Sequence, residues 1–153
     1  MTDKTTFLEC SCGSQNLYTE CCQPYHAGKK APTPEALMRS RFTAFVLKLE
    51  DYLLASWHIS TRPAVLNLDD ASDWISLNIL SSGEEGATGY VHFKAIYRLN
   101  SGWGYLQEIS EFLQENKQWY YLKGEVTEGL LKPKRNEPCP CASGKKFKSC
   151  CLL

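Results

Sequence analysis

Apolar positions along the chain change spacing near its middle, from helical to alternating. Met38, Phe42, Phe45, Val46, Leu49, Tyr52 and Leu53 fall three or four residues apart, as on one face of a helix. Thr33-Pro34-Glu35 supplies its start: a capping hydroxyl, a proline preset for the first turn, and a carboxylate at the positive dipole end. The predicted helix runs from about Pro34 to about Trp57, whole or in two pieces, and Pro63 forbids extending it far.

From Trp74 the period is two. Ile75, Leu77 and Ile79 alternate with Trp74, Ser76, Asn78 and Leu80, and the segment Ser82-Gly83-Glu84-Glu85-Gly86 reads as a turn. Val91, Phe93, Ala95 and Tyr97 then alternate with Tyr90, His92, Lys94 and Ile96, closed by Asn100-Ser101-Gly102. Further strands are expected from about Trp103 to Leu113 and, after Gln114-Glu115-Asn116-Lys117, from about Gln118 to Lys123. Helices followed by an antiparallel meander predict an α+β fold, with a helix covering one face of a curved sheet.

Composition fits this picture. A chain of 153 residues, 43% hydrophobic, with 4 Trp, 8 Tyr and 6 Phe, is sized and stocked for one core. Met1 to Phe7 lacks the apolar run of a secretory leader, and no stretch approaches the ~20 apolar residues of a membrane span. A cytoplasmic protein is expected. In that reducing setting 8 cysteines call for something other than disulfides.

All the cysteines lie near the two ends: Cys10, Cys12, Cys21, Cys22 and Cys139, Cys141, Cys150, Cys151. Each set reads C-x-C, eight residues, C-C, with a serine second and an aromatic ring sixth among the eight, which makes an internal repeat. Four thiolates complete a closed tetrahedral zinc site, so two structural zinc ions per chain are predicted. An iron-sulfur cluster and redox or disulfide chemistry are the rivals. One or two turns of helix are expected between the cysteine pairs, capped by Ser14 or Ser143, with Tyr18 or Phe147 packed beneath the metal. Metal at the ends also has a purely structural reading, because segments this short build no core of their own.

The balance of 17 basic and 17 acidic residues hides a polarity. Lys132, Lys134, Arg135, Lys145, Lys146 and Lys148 face Glu137 alone between positions 132 and 151, whereas residues 31–131 carry 8 basic and 13 acidic side chains. The basic end suits acidic partners, protein or RNA.

The run from Arg135 to Cys151, with Pro138-Cys139-Pro140-Cys141 and Lys145-Lys146-Phe147-Lys148, resembles the SEC-C motif, the zinc module at the C-terminus of the translocation ATPase SecA. It departs at Ala142, where the motif has glycine. The N-terminal copy keeps the cysteines but has Ser11 for the proline and lacks the lysine pair. Together with Leu37-Met38-Arg39-Ser40-Arg41-Phe42, Asp51-Tyr52-Leu53, Ser56-Trp57-His58 and Gln118-Trp119-Tyr120-Tyr121, the chain resembles the YchJ-like family over nearly its whole length. The resemblance implies a nuclear-transport-factor-two-like middle domain, a cone of sheet with helices across its mouth. The expected organisation is an N-terminal zinc motif at 1–30, the α+β domain at 31–131 and the C-terminal zinc motif at 132–153.

Acid-base groups for the middle domain are few. His26 lies in the connector, His58 after the helix and His92 on a strand. His92 and Glu108 would form a base and its partner only if they faced one cavity. Arg39 and Arg41, usually surface residues on such a helix, are candidates for a pocket rim by the family resemblance. The expected function is non-catalytic: a zinc-binding interaction module whose basic C-terminal motif, as the resemblance to the SecA zinc module implies, meets a protein or ribosomal partner, with Lys145, Lys146 and Lys148 suited to it by charge. The alternatives are a small-molecule-binding or enzymatic middle domain stapled by zinc, with its ligand unspecified, and RNA binding through the basic tail.

Overall fold

The computed structural model describes residues 8–68 and 72–152, so the Met1–Phe7 segment read for a leader lies outside the described residues. Helix α1 (Gln23–His26) follows the first cysteine cluster, then come α2 (Pro34–Leu47) and α3 (Glu50–Ala55). Thr33 caps α2, its hydroxyl accepting from the Ala36 amide, with Pro34 in the first turn. The helix stops where Lys48 turns left-handed at φ 59°. The predicted helix is thus two pieces, the second only six residues long.

Four strands follow, β1 (Asp73–Glu85), β2 (Thr88–Leu99), β3 (Gly102–Glu115) and β4 (Gln118–Leu131), paired antiparallel in sequence order. Three boundaries correct the sequence reading, the first being that Gln114 and Glu115 belong to β3 and not to the turn that follows it. Ser82 to Glu85 belong to β1, paired with Val91 to Thr88, and the turn lies at Gly86-Ala87 with Gly86 at φ 60°. Strand β4 continues past Lys123 to Leu131 because β3 back to Trp103 needs a partner. Asn116 and Lys117 both take positive φ, as a two-residue hairpin turn with the right twist requires.

Helix α2 lies across one face of the sheet. Leu37, Met38 and Phe42 pack against Leu77, Val91, Phe93, Ala95, Phe112 and Trp119. Each such ring or aliphatic side chain contributes about 1.5–3 kcal/mol by leaving water. The chain leaving α3 is bound to the sheet by backbone pairing, His58 N–H to the Tyr121 carbonyl at 2.7 Å and Tyr121 N–H to the Ser56 carbonyl at 2.9 Å. That link brings Trp57 over Tyr121 with ring centroids 5.1 Å apart.

Candidate metal centres and an inner cavity

Each cysteine cluster is built by the same local backbone. The Cys10 amide donates to the Asn16 carbonyl at 2.8 Å, and Cys139 to Lys145 at 2.8 Å. A short bridge joins Glu9 to Leu17 and, in the second copy, Pro138 to Lys146. Between the cysteine pairs there is only one turn of 3-10 helix, Tyr18–Glu20 or Phe147–Ser149, which is less helix than the spacing suggested. Neither serine caps it. Ser14 Oγ instead accepts from the Asn16 amide and lies 3.1 Å from Cys21 Sγ; Ser143 does the same for Lys145 and Cys150, at 3.3 Å from the sulfur. Each hydroxyl is thus free to donate to a thiolate.

The sulfur atoms of each set lie within 4.8 Å of one another. Cys12 and Cys21 are 3.5 Å apart and Cys21 and Cys22 3.9 Å; Cys141 and Cys150 are 3.5 Å apart and Cys150 and Cys151 3.9 Å. Thiolates held at about 2.3 Å around a tetrahedral ion stand ~3.8 Å apart, whereas a disulfide needs ~2 Å. Both donor sets therefore fit one metal ion each. Hydrogen bonding to Ser143 and Cys139 holds the Cys141 thiol down to about 6, while Cys139 first and then burial push Cys151 of the same set up to about 12, so the four thiols share their protons unevenly without a metal.

The repeat differs in its left-handed residues. Gly13 and Gln15 take φ of 84° and 70°, while the matching positions are Ala142 at 65° and Gly144 at 85°. Glycine relieves one site in each copy, but not the same one. Ala142 keeps the left-handed conformation that Gly13 takes in the first copy.

Surroundings differ more. The N-terminal cluster is embedded: Cys10, Cys12 and Cys22 are buried, with Tyr18 packed against them. Helix α2 faces it with Thr43, whose hydroxyl lies 3.4 Å from Cys22 Sγ and 3.5 Å from Cys10 Sγ, and with Arg39, whose Nη1 donates to the Cys12 carbonyl at 2.7 Å. His26 joins the module to α2, accepting from the Tyr18 hydroxyl at Nδ1 and donating from Nε2 to the Ser40 carbonyl, both at 2.8 Å. At the other end Cys151 is exposed, as are Lys145, Lys146 and Lys148, and the Phe147 ring meets Trp103 edge-on at 5.9 Å.

Between α2 and the sheet lies a cavity of about 170 Å³. Its walls are Met38, Phe42, Phe45, Trp74, Phe93 and Leu106, and the charged groups among its lining residues are Arg41 and Glu108. Arg41 is 2% exposed. Its Nη1 donates to the Leu53 carbonyl at 2.8 Å and to Ser56 Oγ at 2.6 Å, while its guanidinium carbon lies 5.2 and 4.7 Å from the Trp57 and Tyr121 ring centres. Burial pushes its pKa down to about 10. Glu108 accepts from Ser110 at 2.7 Å and from the Tyr121 hydroxyl at 3.0 Å. Burial first, and then the Glu108 charge, raise the Tyr121 pKa.

Of the residues singled out in the sequence, Arg41 and Glu108 line this cavity and Arg39 does not; it serves the metal loop and pairs with Glu35 at 3.3 Å. His92 and Glu108 are on opposite faces of the sheet. Phe93 pairs with Glu108 on the covered face, whereas His92 pairs with Ile109 on the other and meets Gln107 at 2.8 Å. The proposed base and partner are therefore apart. Trp57 and Tyr121, which entered the sequence analysis only among the residues carrying the family resemblance, also line this cavity. His58 bridges Ser60 and Glu115, at 2.6 Å to each.

Known proteins add the following. The family model described as YchJ, middle NTF2-like domain, matches residues 33–124, and the SEC-C motif matches residues 135–153. The chain is similar to a SEC-C motif containing protein from Rhodopseudomonas palustris solved in solution: 34% identity, 78% of this chain and 99% of that one, TM-score 0.71. It is also similar to a SEC-C motif containing protein from Psychrobacter arcticus solved by crystallography, at 28% identity, 97% of each chain and TM-score 0.68. Among the described residues, no helix is long and apolar enough to cross a membrane. With the middle-domain match spanning more than half the sequence, this chain belongs to the YchJ family, in which an NTF2-like middle domain is joined here to a C-terminal SEC-C motif.

Proposed function

We propose that both cysteine sets hold zinc and that the protein is an interaction module, its N-terminal zinc structural and its C-terminal zinc the scaffold of a contact surface. The observation that carries this reading is the contrast between two modules of matching backbone. One turns its sulfurs into α2, whereas the other carries exposed Lys145, Lys146 and Lys148 on a short turn. A turn pinned by a metal presents charges without a large ordering cost on binding, and three lysines beside Lys132, Lys134 and Arg135 complement an acidic protein segment. Four free thiols per site suit the reducing cytoplasm.

Elemental analysis of metal-replete protein is expected to give two zinc per chain; one or none overturns the first half. For the second half, Lys145→Glu, Lys146→Glu and Lys148→Glu are combined in one chain, and partners captured from a cytoplasmic extract are compared with those of the unaltered protein. Loss of an acidic protein partner with metal content retained supports the reading. Unchanged capture overturns it, as does tight, steeply salt-dependent binding to protein-free RNA.

A further inference from the structure

The cavity beneath α2 holds one charge of each sign, Arg41 and Glu108, and Glu108 favours the Arg41 charge without reaching ion-pair distance. Both oxygens of Glu108 accept from hydroxyls, Ser110 on one side and Tyr121 on the other, so its charge is spread over two donors. Arg41 is served less well. Its two bonds both leave from Nη1 and end on neutral oxygens. Among the described residues no carboxylate lies within ion-pair distance of it, and no protein acceptor meets Nε or Nη2. Those two nitrogens form the edge of a guanidinium that grips a carboxylate with two parallel hydrogen bonds. Buried charges are otherwise paired, and a guanidinium that is 2% exposed has little bulk water to stand in for a partner.

Size and walls define the rest of the occupant. An apolar cavity of roughly 150 Å³ holds a benzene ring. The space here is about 170 Å³, with rings of Phe42, Phe45, Trp74 and Phe93 around it. We propose that this cavity is a binding site for a small aromatic or similarly compact apolar monocarboxylate, its ring among these aromatic side chains and its carboxylate on the Nε/Nη2 edge of Arg41. The bonds from Nη1 to Leu53 and Ser56 fix the guanidinium in place beforehand, so the ligand does not have to order it. This site is independent of the lysine surface and of the metal assignment.

The test uses the full-length, metal-loaded protein, with benzoate as the probe and benzamide as its neutral isostere. Calorimetric titration gives the affinities, and the NMR signals of Trp57, Trp74 and Tyr121 report the place. Benzoate should saturate one site and shift those rings, with benzamide weaker by about tenfold or more, since the lost bond is charge-assisted. Arg41→Gln is expected to remove the preference for benzoate. Because that change also cuts the Leu53 and Ser56 bonds, Ala95→Leu serves as a second variant: it fills the cavity, leaves Arg41 intact and should abolish benzoate binding. Absence of saturable benzoate binding, equal affinity for benzamide, or undiminished binding in folded Ala95→Leu overturns the proposal.

Discussion

Thr43, on the buried face of α2, donates from its hydroxyl to Cys22 Sγ at 3.4 Å, so a helix of the middle domain reaches into the N-terminal candidate metal site. Among the described residues no side chain of the middle domain bonds to a C-terminal cysteine sulfur, and the ring contact there runs through Phe147 and Trp103. The expected asymmetry is measurable. Cys12→Ser should lower the thermal unfolding midpoint of the whole chain, while Cys141→Ser should lose its metal and leave the midpoint nearly unchanged. Thr43→Val keeps the ligands but removes one bond to sulfur, at about 1 kcal/mol, and should speed metal loss to a chelator at the N-terminal site alone.

Ala142 is expected to be a point of stored strain. An alanine at φ 65° costs about 1 kcal/mol relative to glycine. Ala142→Gly should therefore slow metal release from the C-terminal module several-fold in a chelator competition, and Gly144→Ala should accelerate it. Equal release rates for the two variants would disprove this account.

His26 gives the fold a dependence on mild acid. Its Nε2 donates to a carbonyl and its Nδ1 accepts from Tyr18, so the neutral ring is the one that fits. Burial lowers its pKa below the ordinary 6.5, against a smaller opposing effect of the Ser40 carbonyl. The unfolded chain thus takes up the proton first as pH falls. Stability is complete above about 6.5 and declines below it until the folded ring also titrates. His26→Gln should flatten that limb of the stability curve, read by thermal unfolding between pH 7 and pH 5 with metal content checked at each point.

Gly124 leaves room for the Glu108 side chain, which a Cβ there would strike. Gly124→Ala should displace the carboxylate from the Tyr121 hydroxyl and cost about 1–3 kcal/mol in denaturant unfolding. Tyr121→Phe removes the same bond without a clash, and should cost less.

Much of this arrangement was legible beforehand, and the misses have definite causes. The ligand sets needed only spacing and the repeat. The period of two located the strands, but Ser82 to Glu85 look like a turn to any reading of composition, and only their pairing with β2 makes them strand. The ends of β4 were hidden by Glu125, Thr127 and Glu128, polar residues on a segment whose pairing comes from β3. The separation of His92 from Glu108 could have been found. A two-residue loop at Asn100-Ser101 sets Phe93 opposite Glu108, and the pleat then sends His92 to the other side. Arg41 could not have been, because its burial depends on α3 and Trp57 folding back over it.

The compactness of the two metal modules bears on how the chain comes to be folded. All four ligands of each lie within a span of a dozen or so residues, Cys10 to Cys22 and Cys139 to Cys151, and loops of that length close in well under a microsecond. The sheet has to wait for its fourth strand, which ends at Leu131. During synthesis the first module can take its ion while the sheet is still missing, and α2 then docks onto a finished surface. On the proposed metal assignment the second module can take its ion only after β4 has been made, so metal shortage during growth would undermine the docking of α2 on the N-terminal module and leave the sheet independent of the C-terminal one.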